Sequence, residues 1–227
     1  MYSQSIQRSG SVTDDTNLSP SPTEKPIDAL IKELSYLNRI LLLHVIEGDI
    51  IHQIFKQLFY FMCSSSLNNL LLRKDLCHWN KAMQIRFNLS SLEQWCREQQ
   101  IPKWNECVEK LEPIIQATKL LQTRKSEEHI PTIVEMCNKL SSSQIIKILN
   151  LYTAGDEERI SSNFIKMVQK HLAEQRKTEG TNTTLLMDTK YAFAFTIPYI
   201  PTDVKLQSIS LPSVLVKKGL ATVLKKI

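Results

Sequence analysis

The sequence predicts an all-α protein: an elongated multi-helix bundle followed by an extended, proline-containing C-terminal tail. Three observations predict it. Only 5 of the 227 residues are glycine while 42% are hydrophobic, and the many Leu, Ile, Lys, Gln and Glu residues favour helices. Apolar residues recur every three or four positions between Ile27 and Leu172, which places them on single helix faces. Beyond Gln175 this period fades, and Pro198, Pro201 and Pro212 forbid a long helix. The chain thus divides into a leader (1–25), a helical domain (26–175), and a linker with a tail that packs on the helical body (176–227).

The leader is polar and ends in Ser19-Pro20-Ser21-Pro22. It carries too little apolar surface to offset the entropy of ordering, which predicts a disordered, solvated segment; the Ser-Pro steps at Ser19 and Ser21 read alternatively as phosphorylation sites. Pro26 suits a first helical turn, and Ile27, Leu30, Ile31, Leu34, Leu37 and Leu41 form one face behind it. Gly48-Asp49 reads as the stop of that helix. A second helix from about Ile50 carries Ile51, Ile54, Phe55, Leu58, Phe59, Met62, Leu67, Leu70, Leu71 and Leu72. It is apolar nearly all round, the mark of the central, most buried helix.

Arg73-Lys74-Asp75 interrupts the run, and Leu76, Trp79, Met83 and Phe87 follow at helical spacing. Ser90 with Glu93 has the capping-box spacing and predicts a new short helix bearing Leu92, Trp95 and Cys96. Pro102 closes that connection. The next helix turns Trp104, Cys107, Val108, Leu111, Ile114, Ile115, Thr118 and Leu121 inward, with Pro113 as a kink or as the true start. After the exposed stretch LQTRKSEEH, Ile133, Val134, Met136, Cys137 and Leu140 make a further face. Ser141 and Gln144 repeat the capping-box spacing ahead of Ile145, Ile148 and Leu149, and Gly155 reads as that element's end. Ser161-Ser162-Asn163 caps a helix carrying Phe164, Ile165, Val168 and Leu172. LLMDTK reads as a last helical turn before the tail.

Catalytic spacing is absent from the sequence. There is no GxxxxGK[ST] loop, and His44, His52, His78, His129 and His171 match no metal spacing. Cys77 and His78 are adjacent, so on a helix they point about 100° apart and cannot share a proton. The reading is non-enzymatic, without a cofactor. The five cysteines form no CxxC pair, which predicts reduced thiols in the cytosol. No apolar run reaches the ~18 residues of a spanning helix. A formal charge of +5 is modest and dispersed, which argues against nucleic acid as a partner.

The wording of LNNLLLRKDLCHWNKAMQIRFNLSSLEQW, followed in order by LEPIIQATKLLQTRK, MCNKLSSSQIIKILNLYT, EERISSNFI and LLMDTKYAFAF, resembles the dilute domain of the class V myosin globular tail. The resemblance covers much of the chain after Pro26. It implies a helical body of two subdomains with an extended tail crossing the first, and a cytoplasmic role on vesicles and the actin cytoskeleton. Partners implied are adaptor proteins and Rab-type small GTPases on vesicles, coupled to actomyosin. In some relatives an aromatic residue and a glutamine form a Rab-binding face; here those positions are Phe87 and Gln122, with Arg124 and Lys125 beside them. Phe87 lacks a phenolic hydroxyl and so one hydrogen-bonding handle; plain core packing is its other reading, while Gln122 reads as exposed.

Departures from the family pattern carry their own expectations. YTAGDEERI is shorter than the usual linker, and KKGLATVLKKI is more basic. Motor, IQ-motif and coiled-coil sequences are not found in the 227 residues, so the chain is not expected to step along actin by itself. Much of the first subdomain is missing, which predicts a tail after Tyr191 without its docking surface, an exposed apolar groove and low stability. The alternative function is peripheral membrane binding through Lys217, Lys218, Lys225 and Lys226 around Leu220, Val223 and Leu224, since basic residues beside an apolar stripe bind anionic lipid.

Overall fold

A computed structural model describes residues 25–153, 160–176, 184–197 and 213–217. Among these the structure is helical, in nine α-helices without a strand. They are α1 (Pro26–Leu43), α2 (Gly48–Leu72), α3 (Trp79–Glu98), α4 (Trp104–Glu109) and α5 (Glu112–Gln122), then α6 (Ile130–Met136), α7 (Ser142–Leu151), α8 (Ser162–Gln175) and α9 (Ser213–Lys217). The expected leader, Gly155, the prolines Pro198, Pro201 and Pro212, and Lys218 onward lie outside the described residues.

Helix α1 starts where Pro26 predicts but ends by a device the sequence hides. Val45 adopts φ 56, its amide donates to Leu42 O at 3.0 Å, and the Ile46 amide donates to Leu41 O at 3.0 Å. These two bonds make a Schellman cap, a position that favours glycine. Gly48 is therefore not the stop. It opens α2, where a Cβ would stand 3.2 Å from Pro102 Cγ, so the two chain segments approach closely there. A β-branched residue in the left-handed region costs about 1 kcal/mol or more. Because Val45 is also 87% exposed, Val45→Gly is expected to stabilise the protein by about 1 kcal/mol, seen as a rightward shift of the urea midpoint at unchanged slope.

Helix α2 buries Ile51, Phe55, Phe59, Cys63, Leu67, Leu70 and Leu71. The most thoroughly buried helix is the shorter α5, in which every residue from Ile114 to Thr118, and then Leu120 and Leu121, is covered. The all-round apolar run of α2 misleads because part of it faces outward: Phe61 and Leu72 are exposed. Pro113 occupies the first turn of α5 and marks its true start, where its missing amide costs nothing. Ser90 caps no helix. Helix α3 runs unbroken through it, and Glu93 Oε1 accepts a bond from Arg86 Nη1 at 3.1 Å instead.

Trp95 ties three helices together: its ring lies 5.5 Å from that of Phe55, and its Nε1 donates to Ser35 Oγ at 2.7 Å. Contacts from Lys25 to Phe87, Ser35 to Trp95 and Asn38 to Gln99 run in the same order along both helices, so α1 and α3 pack parallel. The expected capping box at Ser141 and the expected cap at Ser161 are both present. Ser141 Oγ accepts from the Gln144 amide at 3.1 Å while Gln144 Oε1 accepts from the Ser141 amide at 2.9 Å, a reciprocal box. Ser161 caps α8 by a single bond to the Phe164 amide at 3.1 Å.

The tail differs from expectation in two respects. LLMDTK forms no helical turn, because the Asn68 side chain takes both backbone groups of Met187: Nδ2 donates to its O at 2.9 Å and Oδ1 accepts from its N at 2.8 Å. Nor do the described residues of the strap after Tyr191 lack a docking surface. Residues 184–197 form a strap from the N-terminus of α7, where Gln144 Nε2 donates to Leu185 O at 3.0 Å, along the outer side of α2. Gln57 there brackets the chain, donating to Tyr191 O at 2.8 Å and accepting from Phe193 N at 2.9 Å. Gln53 likewise donates to Thr196 O at 2.8 Å and accepts from Thr196 N at 2.7 Å. Helix α2 itself supplies the partners that seat this strap.

Candidate functional site

Helix α3 presents two unlike faces. Ala82, Leu89, Leu92, Trp95 and Cys96 point into the core. On the other side Trp79, Met83 and Phe87, spaced by four, are 48%, 49% and 62% exposed. Residues four apart lie one above another on a helix, so these three large side chains form one apolar stripe. The Lys25 ammonium stands 6.0 Å from the Phe87 ring centroid, adding positive charge at one end. Phe87 is thus a surface residue, and the core-packing reading is excluded.

The other predicted residues gather where α5 ends. Gln122 is its last residue and is partly buried, less open than its expected exposure; Arg124 is exposed. Lys125 is committed to the body: its Nζ donates to Leu121 O at 2.6 Å and lies 4.1 Å from the Tyr152 ring centroid. The structure brings Gln122, Arg124 and Lys125 together. It leaves Phe87 on α3, a helix that packs against α5, and no hydrogen bond or ring contact joins Phe87 to those three among the described residues. Trp79 and Met83 stand at helical spacing in the sequence, and nothing in a period of four tells an inward face from an outward one.

A second feature is the cleft of about 690 Å³ between α2 and the strap, lined by His52, Gln53, Lys56, Gln57, Lys103 and Phe193 among others. Its glutamines could not be assigned from sequence, because their partners lie more than 130 residues away. His52 is buried, and its Nε2 makes no hydrogen bond although Glu106 Oε2 lies 3.4 Å off. Burial pushes the imidazole below its ordinary value; Lys56 and Lys103 push it the same way, while Glu106 and Asp49 oppose. The native state therefore holds His52 neutral, and the unfolded chain takes up its proton first as pH falls. Stability is expected to be full above about pH 6.5 and to decline as pH drops below it. Urea titrations between pH 7.5 and 5 check this, and His52→Gln should flatten that part of the profile.

The five cysteines are free and buried. Burial raises Cys63, Cys107 and Cys137 to about 12, and Cys77 and Cys96 to about 11, so each stays a thiol at neutral pH and is a poor nucleophile. Cys77 Sγ donates to Leu70 O at 3.2 Å while His78 Nδ1 accepts from the Lys81 amide at 3.4 Å, so the two point to separate partners. Among the described residues no group of three or more His, Cys, Asp or Glu could hold a metal ion, and no helix is long and apolar enough to cross a membrane. Of the basic C-terminal residues only Lys217, exposed at the end of α9, is described.

Comparison with known proteins agrees with this architecture. Residues 53–156 match the DIL domain. Unconventional myosin-Va of Homo sapiens is 40% identical over 190 residues, covering 82% of this chain and 10% of that myosin. Two solved structures share the fold. One, described as a myosin V cargo binding domain, has a TM-score of 0.62 at 20% identity, over 87% of this chain and 53% of that chain. The other, Myo2-GTD in complex with Mmr1, has a TM-score of 0.61 at 23% identity, over 86% of this chain and 53% of that chain. The chain carries a DIL domain and belongs to the family of class V myosin tails. It spans about a tenth of the length of the myosin it matches, and about half of the solved tail domains.

Proposed function

We propose that this protein is a non-catalytic cargo-binding module that joins vesicles or organelles to actin-based transport, through adaptor proteins and Rab-type small GTPases on their cytoplasmic surface. The observation that carries the proposal is the exposed Trp79–Met83–Phe87 stripe on α3. Aromatic side chains, with Met, are enriched where proteins bind one another, and a few of them dominate the binding energy. Related tail domains have been solved with Mmr1 and Smy1, which supports the adaptor part of the reading. Phe87, Gln122 and Arg124 are the residues we assign to the GTPase, with Lys125 holding the α5 end in shape.

The test is capture of purified partners on the immobilised 227-residue chain. Vesicle-associated Rab GTPases, each loaded with GTP or GDP, and adaptor peptides are offered in separate arms. Retention of a GTP-loaded GTPase that Phe87→Ala abolishes supports the proposal. Retention of nothing in any arm, or equal retention by the variant, overturns it.

A further inference from the structure

The cleft between α2 and the strap holds two donors that the described chain leaves unanswered. His52 lines the cleft and is only 6% exposed, yet its Nε2 makes no hydrogen bond. A buried polar atom without a partner is rare in a native fold and calls for an explanation. Glu106 Oε2, which can only accept, lies 3.4 Å away, so the imidazole turns its N–H and not its lone pair to that side. Lys56 and Lys110 each stand 5.6 Å from the centroid of the Phe193 ring. Lys56 is answered by Glu106 at 3.7 Å, and Lys103 by Asp49 at 3.0 Å. Lys110 makes no ion pair among the described residues. With His52 neutral, three lysines face two carboxylates around the cleft, a surplus of one positive charge.

The surplus and the lone donor decide what fits. A phosphate group carries about −1.5 to −2 charges, more than the surplus offsets, whereas a carboxylate carries one. Beside His52 a second carboxylate would meet Glu106 as a like charge, so the acceptor suited to that position is neutral, as a peptide carbonyl is. Ile54, Leu58, Ala192 and Phe195 add apolar wall. The volume of about 690 Å³ falls within the range of about 300–1,000 Å³ that encloses a drug-sized ligand, which is also the size of a short peptide. We propose that this cleft binds a short acidic–apolar segment of a partner protein, whose backbone carbonyl accepts from His52 Nε2 and whose carboxylate pairs with Lys110. Apolar side chains of the segment lie against Ile54, Leu58 and Phe193. No residue of α3 lines the cleft, so the site is separate from the Trp79–Met83–Phe87 stripe. That the segment belongs to a cargo adaptor rests on the cargo-binding reading; the chemistry of the cleft does not.

Titration of the intact chain with the peptide Leu-Glu-Leu, acetylated and amidated at its ends and followed by nuclear magnetic resonance, tests this. The His52 ring signal should move saturably, and the peptide Leu-Gln-Leu should bind at least tenfold more weakly. Lys110→Gln should remove that preference, while Lys110→Arg should keep it. Equal binding of the two peptides, or no saturation below about 10 mM, overturns the proposal. So does a preference that Lys110→Gln leaves intact, or binding that leaves the His52 signal unmoved. Phe87→Ala should bind the peptide as the unaltered chain does, so the two sites are read separately. GTPase retention without peptide binding overturns only this inference, and peptide binding without GTPase retention overturns only the GTPase assignment on α3 and α5.

Discussion

Phe55→Ala is expected to destabilise the protein by about 3–5 kcal/mol, the range for emptying a large aromatic site in a close-packed core. Phe55 is fully buried on α2 and its ring meets that of Trp95 at 5.5 Å. Through Trp95 it also supports the hydrogen bond to Ser35 that fastens α1 to α3. Removing the ring opens a void where three helices meet, so the site cannot collapse without moving one of them. A domain of this size commonly has a net stability of about 5–15 kcal/mol, so the variant forfeits a large share. Urea unfolding followed by far-UV circular dichroism gives the number. Phe61→Ala, on the same helix but 50% exposed, serves as the control and should shift the midpoint little.

The second large effect falls on binding. Phe87→Ala and Gln122→Arg are each expected to weaken GTPase binding at least tenfold, equivalent to about 1.4 kcal/mol. Phe87 stands 62% exposed on α3, so truncation removes contact surface without opening the core. Gln122 is partly buried at the end of α5; arginine there is longer and charged, and adds to the positive charge of Arg124. Matching melting curves for both variants separate lost contact from lost fold. Surface substitutions away from special features usually change stability by about 0.5 kcal/mol or less.

The fold was legible where one residue's chemistry decided one local event. Pro26 at a helix start, Pro113 at the start of α5, and Ser141 with Gln144 as a reciprocal cap all stand where their chemistry implies. Misreadings arose where a tertiary partner outweighed a local signal. Glu93 had the spacing for a cap but took Arg86 instead, and α1 ended on left-handed Val45, whose side chain gives no hint of it. The Leu185–Lys190 stretch looked helical until Asn68 claimed the backbone of Met187. For the site, the resemblance pointed to Phe87 and Gln122, while the period alone could not tell that Trp79 and Met83 face outward. The glutamine clamps were illegible for a plain reason: Gln53 and Gln57 resemble any solvated helix face until the strap arrives to meet them.

The central claim is that exposed side chains on α3 and at the end of α5 grip another protein. Its most direct test is a calorimetric titration of the 227-residue chain with GTP-loaded vesicle Rab GTPases, repeated with the GDP-loaded forms and with Phe87→Ala and Gln122→Arg. Saturable binding of a GTP-loaded form is expected, with weaker binding of its GDP form and at least a tenfold loss in both variants, equivalent to about 1.4 kcal/mol, at unchanged melting temperature. Binding that both variants leave intact, or no heat with any GTPase at concentrations up to about 1 mM, would contradict it.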